Sequence, residues 1–278
     1  MDASPKLKWS LALVSIPVML WTLVPMFWIF SLAVKPQESA ADGNFIPRGI
    51  SWENFELILT GGASDLFLPA LFNSIVVCLV ATVISVVLAT FCAYAIARLD
   101  FPGKKLILLV SLAVSFFPVI SLVTPLFDLW RAVGLFDTIP GLIIPYLSLT
   151  LPLSIWVLSA FFQAIPWEME QAAQVDGATN WEAFRKVIVP LAAPGVFTTG
   201  IITFFTAWND FVFAISLTSE SARTVPAALA FFTGASQFEQ PTGAISAAAV
   251  IVTIPVVILV LIFQKRIVAG LTSGAVKG

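Results

Sequence analysis

The residues best suited to specific chemistry lie together in the stretch 205–211, which reads FTAWNDF. Phe205 and Trp208 offer aromatic faces, while Asn209 and Asp210 offer an amide and a carboxylate. Sugars bind to groups of these kinds, because their apolar faces stack on rings and their hydroxyls hydrogen-bond to polar side chains. The stretch therefore indicates a lining for a sugar path. The structural alternative is that Asp210 caps or pins neighbouring helices.

Asp210 and Asn73 both fall in stretches that are otherwise apolar. A carboxylate in hydrocarbon costs about 2.5–3.5 kcal/mol on insertion scales, so Asp210 is expected to face protein or water. It could line a substrate path or carry a coupling ion. Asn73 is a weaker candidate for the same path, because amides inside membrane spans more often hydrogen-bond helices to one another.

Several kinds of chemistry are excluded by what the sequence lacks. The chain has no histidine, which removes the commonest general base and metal ligand and with them a Ser-His-Asp triad. No metal site and no catalytic residue is expected. No GxxxxGK[ST] phosphate loop occurs, so any ATP hydrolysis must belong to another chain. Cys78 and Cys92 lie about 21 Å apart along one predicted helix and cannot pair within it.

The composition is that of a membrane protein. Of the 278 residues, 59% are hydrophobic and 11% are charged, and the mean hydropathy is +0.99. A soluble domain is usually about a quarter charged, so most of this chain is expected to be solvated by lipid. The net charge of −2 provides no basic surface, and nucleic acid is not expected as a partner.

Six stretches are long and apolar enough to cross a bilayer, which predicts an all-α, polytopic protein. They are residues 9–34, 66–97, 106–127 with breaks near Pro118 and Pro125, the span within 138–167, a fifth that starts within 187–209 and contains Asp210, and 244–263. Six spans place both termini on one side.

The distribution of basic residues gives the predicted orientation. Ten of the 14 Lys and Arg residues fall in the N-terminus, the loop 98–105, the stretch 165–190 and the C-terminal tail. Basic residues concentrate on the cytoplasmic side of membrane proteins. Both termini and the stretch 165–190 are therefore expected in the cytoplasm, and the chain is expected to be a multi-pass protein of the cell membrane.

The stretch 165–190 is predicted to be a hairpin of two short helices. Glu168 and Glu170 fall in the first turn of the first helix, where acidic side chains complement the positive helix end. Gly177 then ends that helix, because glycine enters a left-handed turn without steric cost.

The second helix of the hairpin carries its own start signal. Thr179 and Glu182 have the spacing of a capping box. Trp181, Phe184 and Ile188 follow at helical intervals and form an apolar stripe. Such an elbow could fit a groove on another protein; the alternative is a surface hairpin that merely joins two spans.

The hairpin resembles the EAA loop of binding-protein-dependent ABC importer permeases of the carbohydrate uptake class, which includes the maltose importer. The residues that carry the resemblance are Ala172, Ala173, Asp176, Gly177, Ala178, Phe184 and Pro190. In that family the loop is a coupling helix that docks into the ATPase. The family usually has glutamate where this chain has Gln171, so that contact is expected to be neutral here or to pass to Glu170.

The resemblance extends over nearly the whole chain. The tail 270–278 is similar to the ending that reaches into the ATPase dimer in maltose-type permeases, although a flexible end would fit it equally well. FPGKK, LVTPLF and GLFDT are similar to runs in trehalose importers of this class. The resemblance implies the type I importer permease fold: residues 1–65 form a first span and extracytoplasmic loop, 66–264 the permease core and 265–278 a cytoplasmic tail.

The function that this resemblance implies is ATP-driven uptake of a sugar, such as the disaccharide trehalose. The expected partners are a second homologous permease, two copies of a cytoplasmic ATPase that bind ATP and magnesium, and an extracytoplasmic sugar-binding protein or lipoprotein. No cofactor is expected on this chain. The alternative function is an ion-coupled secondary transporter that uses Asp210. A membrane-embedded enzyme would need a nucleophile, a base and metal ligands, and no such cluster is evident.

Overall fold

The structure is a computed structural model that describes residues 5–39, 42–232 and 241–275. The described residues form helices and connecting turns, with no strand among them. The α-helices are α1 (Pro5–Val34), α2 (Glu53–Leu59), α3 (Ser64–Arg98), α4 (Lys104–Ser115), α5 (Ile120–Val133), α6 (Ile139–Ala164), α7 (Glu168–Val175), α8 (Asn180–Ala183), α9 (Val189–Trp208), α10 (Val212–Leu217), α11 (Val225–Leu229) and α12 (Thr242–Ala275).

Among the described residues, five helical segments are long and apolar enough to span a membrane. They are Leu13–Val34, Ser64–Arg98, Ile139–Ala164, Asn180–Trp208 and Thr242–Gln264. The third predicted span, residues 106–127, is a bent pair, because α4 and α5 meet at 92°; counted as one span, the pair brings the number to six. The bend falls near Pro118, and proline disfavours helical geometry in the residue before it. Pro125 lies inside α5 and does not end that helix.

Two helix ends differ from the expected ones. The fifth predicted span was expected to contain Asp210, but α9 ends at Trp208, so Asp210 lies in the link to α10. The last helix was expected to end near residue 263, yet α12 continues to Ala275 and includes most of the expected tail. An isolated glycine inside a helical pattern is tolerated, at a cost of about 1 kcal/mol relative to alanine. Residues 276–278 lie outside the described part.

The chain divides into two compact units: Met1–Leu68 with Leu229–Pro255, and Pro69–Ala228 with Val256–Gly278. In the first unit, Asn54 of α2 closes the end of α1. Its amide nitrogen donates to the carbonyl oxygens of Ala33, at 3.1 Å, and Lys35, at 2.8 Å. These are carbonyls that a helix end leaves without partners.

Lys35 is fully buried in the same unit. Its ammonium group donates to Asp42, at 2.7 Å, and to the Asn44 carbonyl, and it lies 5.1 Å from the centre of the Trp28 ring. Hydrogen bonds from Lys35 and Asn44 hold the pKa of Asp42 below its usual range. A buried ammonium is tolerated because the carboxylate, carbonyl and ring together replace its water.

The second unit is built around α6 and α9. Gly195 of α9 lies against the Phe161 ring of α6 so closely that a Cβ atom there would stand 2.3 Å from a ring carbon. A hydrogen bond of 2.9 Å joins the hydroxyls of Ser154 and Thr203 across the same pair of helices. Small residues let helices approach closely in a membrane, and paired hydroxyls satisfy one another there.

A second contact joins α3 to α6. The Ser85 and Thr150 hydroxyls lie 2.9 Å apart in a hydrogen bond, and both side chains are buried. A core of buried apolar residues then continues from α3 and α6 to the segment that enters α9: Ala89, Ala93, Ile96, Ile155, Leu158, Phe162, Ile188 and Ala192. This core supports the hairpin between α6 and α9.

Asp137, between α5 and α6, organises a distant turn. Its carboxylate accepts backbone N–H groups from four consecutive residues, Ser219 to Ala222, at 2.9 to 3.2 Å. Its own backbone is left-handed, with φ of 56°. Partial burial raises the pKa of Asp137, but the four N–H donors lower it more, so the net pKa is below the usual value.

Candidate functional site

The predicted hairpin is present between α6 and α9. Its first arm, α7, ends at Val175 and is followed by Asp176 and by Gly177, which has φ of +91°. The N–H of Gly177 donates to the carbonyl of Gln174, and the N–H of Ala178 donates to the carbonyl of Ala173. This pair of hydrogen bonds defines a Schellman motif, which requires a left-handed residue at the glycine position. The turn expected from the Asp176–Gly177 pair is therefore confirmed.

The second arm begins with the expected capping box. The Thr179 hydroxyl accepts the backbone N–H of Glu182 at 3.3 Å, and the Glu182 carboxylate accepts the backbone N–H of Thr179 at 3.0 Å. Lys186 adds an ion pair to Glu182 at 2.9 Å. Each helix start leaves N–H groups unpaired, and this exchange satisfies one at each end of the box.

A π-helical turn joins the second arm to the long helix that follows. Phe184–Ile188 forms this turn, and the N–H of Val189 donates to the carbonyl of Phe184. Pro190 follows at once and has no N–H to continue the regular pattern. The hairpin therefore passes into α9 without an intervening loop.

The predicted coupling residues divide into an exposed group and an internal group. Gln171, Ala172, Asp176 and Gly177 are exposed, and Ala173 and Ala178 are half-buried. Val175, which was not singled out in the sequence, is 86% exposed on the same helix. The outer side of α7 thus exposes the small side chain of Ala172 beside the longer polar side chains of Gln171 and Gln174, and Val175 projects from it.

Glu170 and Phe184 belong to the internal group, being only 5% exposed. Of the two expected alternatives for the ATPase contact, a neutral contact by Gln171 or a shift to Glu170, the second does not match the structure, because the Glu170 carboxylate faces α3. It accepts the Tyr94 hydroxyl at 2.5 Å and lies 3.5 Å from the Arg98 Nε atom. Helical spacing explains the difference, because residues 170 and 171 are about 100° apart around α7.

Arg98 makes two further contacts with the start of the hairpin. Its Nη2 atom donates to the carbonyl of Ile165 at 2.9 Å, and its guanidinium lies 4.9 Å from the centre of the Trp167 ring. Neither Tyr94 nor Arg98 was predicted as a site residue. The available signal was that Arg98 is the first charge after a long uncharged run, but the sequence does not reveal its partner.

Aromatic rings hold the second arm. Phe91 of α3 stacks on Trp181 with ring centres 6.3 Å apart, and Phe184 lies 4.6 Å from Tyr94 and 5.6 Å from Phe91. An open cavity of about 460 Å³ lies between α3 and the two arms, lined by these rings and by Arg98, Glu170, Gln174 and Asn180 among others. The stripe expected from Trp181, Phe184 and Ile188 thus packs inward, with Trp181 still 56% exposed.

The proposed sugar-binding stretch is less open than its composition indicates. Trp208 is buried and stacks on Phe204, with ring centres 5.2 Å apart. Asn209 is exposed, but its amide nitrogen donates to the carbonyl of Phe205, which is itself half-buried. Trp208 is therefore part of the packing, while Asn209 and Phe205 keep accessible surface.

Asp210 is buried, with 9% of its surface exposed. Its carboxylate accepts the backbone N–H of Ala214 at 3.1 Å, which closes the first turn of α10. Tyr146, fully buried, lies beside it. The structural alternative for Asp210, that it caps a helix, matches this geometry.

Asn73 likewise makes internal contacts. Its amide nitrogen donates to the carbonyls of Ser221, at 2.8 Å, and Arg223, at 3.1 Å. The neighbouring Ser74 hydroxyl accepts the backbone N–H of Val225 at 2.8 Å. Both residues tie α3 to the turn that Asp137 also organises. Within the described ranges, no three His, Cys, Asp or Glu residues cluster closely enough to hold a metal ion.

Comparison with known families gives one match that covers most of the chain. Residues 85–273 match the family described as "Binding-protein-dependent transport system inner membrane component". This range contains the C-terminal part of α3, the hairpin, α9 and most of α12.

Similar proteins of known name are permeases. The chain is 57% identical over 259 residues to the trehalose transport system permease protein SugB of Mycobacterium tuberculosis, with 93% of each chain covered. It is 40% identical to the sulfoquinovosyl glycerol transport system permease protein SmoH of Agrobacterium fabrum, covering 92% of this chain and 89% of the other. It is 38% identical to the trehalose/maltose transport system permease protein MalG of Thermococcus litoralis, covering 92% of each.

A solved structure shares the fold. A chain in the crystal structure of a bacterial ABC transporter involved in the import of the acidic polysaccharide alginate matches with a TM-score of 0.74 at 22% identity, over 95% of this chain and 99% of that one. A second crystal structure, of the alginate transporter with an alginate pentasaccharide-bound periplasmic protein, matches with a TM-score of 0.68.

Proposed function

The chain belongs to the family of binding-protein-dependent transport system inner membrane components, and from this premise we propose that its hairpin couples an ATPase to sugar uptake. The protein is a multi-pass membrane protein and the permease subunit of a sugar ABC importer. It is a non-catalytic membrane subunit of that importer. The observation that carries the proposal is the hairpin, which exposes Ala172 and the Asp176–Gly177 turn and packs against α3.

Trehalose is the substrate that we propose. The 57% identity to a trehalose permease extends over 93% of both chains, and a second relative is named for trehalose and maltose. Other relatives are named for different sugars, including diacetylchitobiose. A disaccharide is the substrate class common to several of these names.

The ATPase-docking surface that we propose is the outer side of α7 with its turn. Gln171, Ala172 and Val175 are exposed there, and the small side chain of Ala172 permits close approach of another backbone. Ala173, Asp176, Gly177 and Ala178 shape the turn. Glu170 and Phe184 act from inside, as residues that hold the surface in place.

The proposed assembly contains chains besides this one. Two copies of a cytoplasmic ATPase would bind ATP and magnesium. One copy would bind this hairpin, and the other would bind the hairpin of a second homologous permease. An extracytoplasmic sugar-binding protein would deliver the substrate, in keeping with the periplasmic protein named for the related alginate transporter. The exposed Asn209 and half-buried Phe205 are the proposed contacts of this chain with the sugar path.

The experiment that tests this function replaces Gly177 with valine and with asparagine. Valine is strained at φ of +91°, at a cost of about 1–2 kcal/mol, whereas asparagine tolerates left-handed backbone better. We expect Gly177→Val to insert normally but to abolish ATP-dependent uptake of labelled trehalose into proteoliposomes that hold the full complex. Gly177→Asn should keep most of the uptake.

The outcome that would overturn the coupling role is normal uptake by Gly177→Val. Uptake by the wild-type chain without any ATPase, driven by an ion gradient, would instead favour the ion-coupled alternative. Labelling of the membrane fraction checks that each variant is inserted in equal amount.

A further inference from the structure

Three residues on the last turns of α3 hold both arms of the hairpin. Phe91, Tyr94 and Arg98 are spaced three and four residues apart, so they lie on one face of the helix. Tyr94 and Arg98 hold Glu170 of the first arm, and Phe91 and Tyr94 pack against Phe184 of the second. Sequence continuity links the hairpin to α6 and α9, whereas α3 is linked to it by side-chain contacts, through these three residues and the apolar core around Ile188.

The contact between Arg98 and Glu170 is a buried ion pair. The two side chains are 5% and 7% exposed. Burying two charges costs several kcal/mol per ion before their attraction is counted, so a packed apolar pair would stabilise this position at least as well. Stability alone therefore does not account for charges at this place.

The ion pair between Arg98 and Glu170 lacks a close hydrogen bond between its charged groups. Arg98 Nε and Glu170 Oε2 face each other at 3.5 Å, and neither atom has a hydrogen-bond partner. A charge-assisted hydrogen bond between them would be about 2.7–2.9 Å long. A side-chain rotation or a small shift of α7, either of less than about 1 Å, would bring the two atoms within that distance.

We propose that the Arg98–Glu170 pair, supported by the Tyr94 hydroxyl, is the joint through which α3 follows the hairpin during transport. Arg98 and Glu170 are thus positioning residues, acting through the hairpin and touching neither the sugar nor the nucleotide. This rests on the proposed function, because it requires an ATPase to move the hairpin. If the Arg98–Glu170 contact is weakened, ATP hydrolysis by the partner continues, but α3 follows the movement of the hairpin less completely.

Glu170→Gln tests the joint with little change of shape. The amide still accepts the Tyr94 hydroxyl but no longer attracts Arg98. In the reconstituted importer complex, we expect ATPase activity and complex yield to stay near wild type, while labelled trehalose carried per ATP falls by about fivefold or more. Arg98→Lys keeps the charge but loses the fork that also reaches Ile165, and it should give an intermediate value.

The matched control is Lys104→Gln, which removes the neighbouring exposed ion pair with Asp100. It should leave trehalose carried per ATP unchanged. A Glu170→Gln variant within twofold of wild type, or one whose ATPase activity and complex yield fall in parallel with uptake, would overturn the proposal. Absence of ATP-dependent uptake by the wild-type complex would overturn the proposed function itself, which separates the two failures.

Discussion

At the scale of single residues, Asp137 shows how one carboxylate can fix a remote turn. Four backbone N–H groups from 219–222 converge on it, although more than 80 residues separate them in sequence. The backbone of Asp137 is left-handed, a conformation that aspartate adopts more readily than most residues.

Asp137→Asn should weaken this turn. Asparagine keeps the tolerance for positive φ but has one oxygen acceptor and no charge, so the loss should be about 1 kcal/mol after solvent screening. The folded-state pKa is lowered, so the stabilisation is complete above the unfolded value of about 4 and is lost as the pH falls through the folded pKa. Thermal unfolding of the purified protein at pH 7 and pH 3 would measure this. An equal difference between wild type and variant at both pH values would contradict it.

Asp210 offers a test that separates helix capping from ion coupling. Its carboxylate accepts the Ala214 N–H, and an asparagine oxygen can do the same. We expect Asp210→Asn to keep uptake close to wild type, and Asp210→Ala to lower stability by about 1 kcal/mol. Uptake of labelled trehalose and thermal unfolding check the two variants. Complete loss of uptake in Asp210→Asn with normal insertion would favour a role for the charge.

What the sequence could predict about the site depends on distance along the chain. The Thr179–Glu182 box and the Gly177 turn are local, so spacing alone identifies them. Glu170 and Arg98 lie 72 residues apart, and only packing of α3 against the hairpin reveals that one faces the other. The same holds for Asn73, whose partners are about 150 residues away.

At the scale of elements, the contact between α6 and α9 depends on one glycine. A Cβ at Gly195 would overlap the Phe161 ring, whereas a Cβ at Gly200 would stand at an ordinary 3.9 Å from Val86. Both glycines are in the interior of α9, so replacing either one with alanine should give the same gain in helix propensity.

Gly195→Ala should therefore destabilise the protein, and Gly200→Ala should not. Overpacking costs typically about 1–3 kcal/mol, while relief of a helical glycine gains up to about 1 kcal/mol. Thermal unfolding in detergent would compare the two variants. If both shift stability in the same direction by the same amount, the close approach of Phe161 is not a constraint.

The elements themselves were predictable where charge and apolar length agree. The uncharged run 66–97 matches α3 within two residues at the start and one at the end. The third predicted span has the expected break near Pro118, but its bend was not predicted, because apolar length does not distinguish one long helix from two helices that meet at 92°. Pro118 signalled a break there, but a sequence pattern carries no angle.

At the scale of the whole molecule, the membrane class and helical fold followed from composition, and the family match and alginate transporter structures support both. The orientation of the termini remains a prediction from the distribution of Lys and Arg. The spacing of residue types could not identify the sugar, because Trp208 and Asp210 of the 205–211 stretch are buried among other side chains. This burial depends on contacts with α10 and α6, which cannot be read from the spacing of residues along the sequence.

Because the hairpin continues into α9 without a loop, a movement of the hairpin must tilt α9 with it. Three residues separate α6 from α7, and a π turn joins the second arm to α9, so little slack can absorb a displacement. With 20 residues, α9 is about 30 Å long. A tilt of about 10° at the hairpin would then displace its far end sideways by about 5 Å.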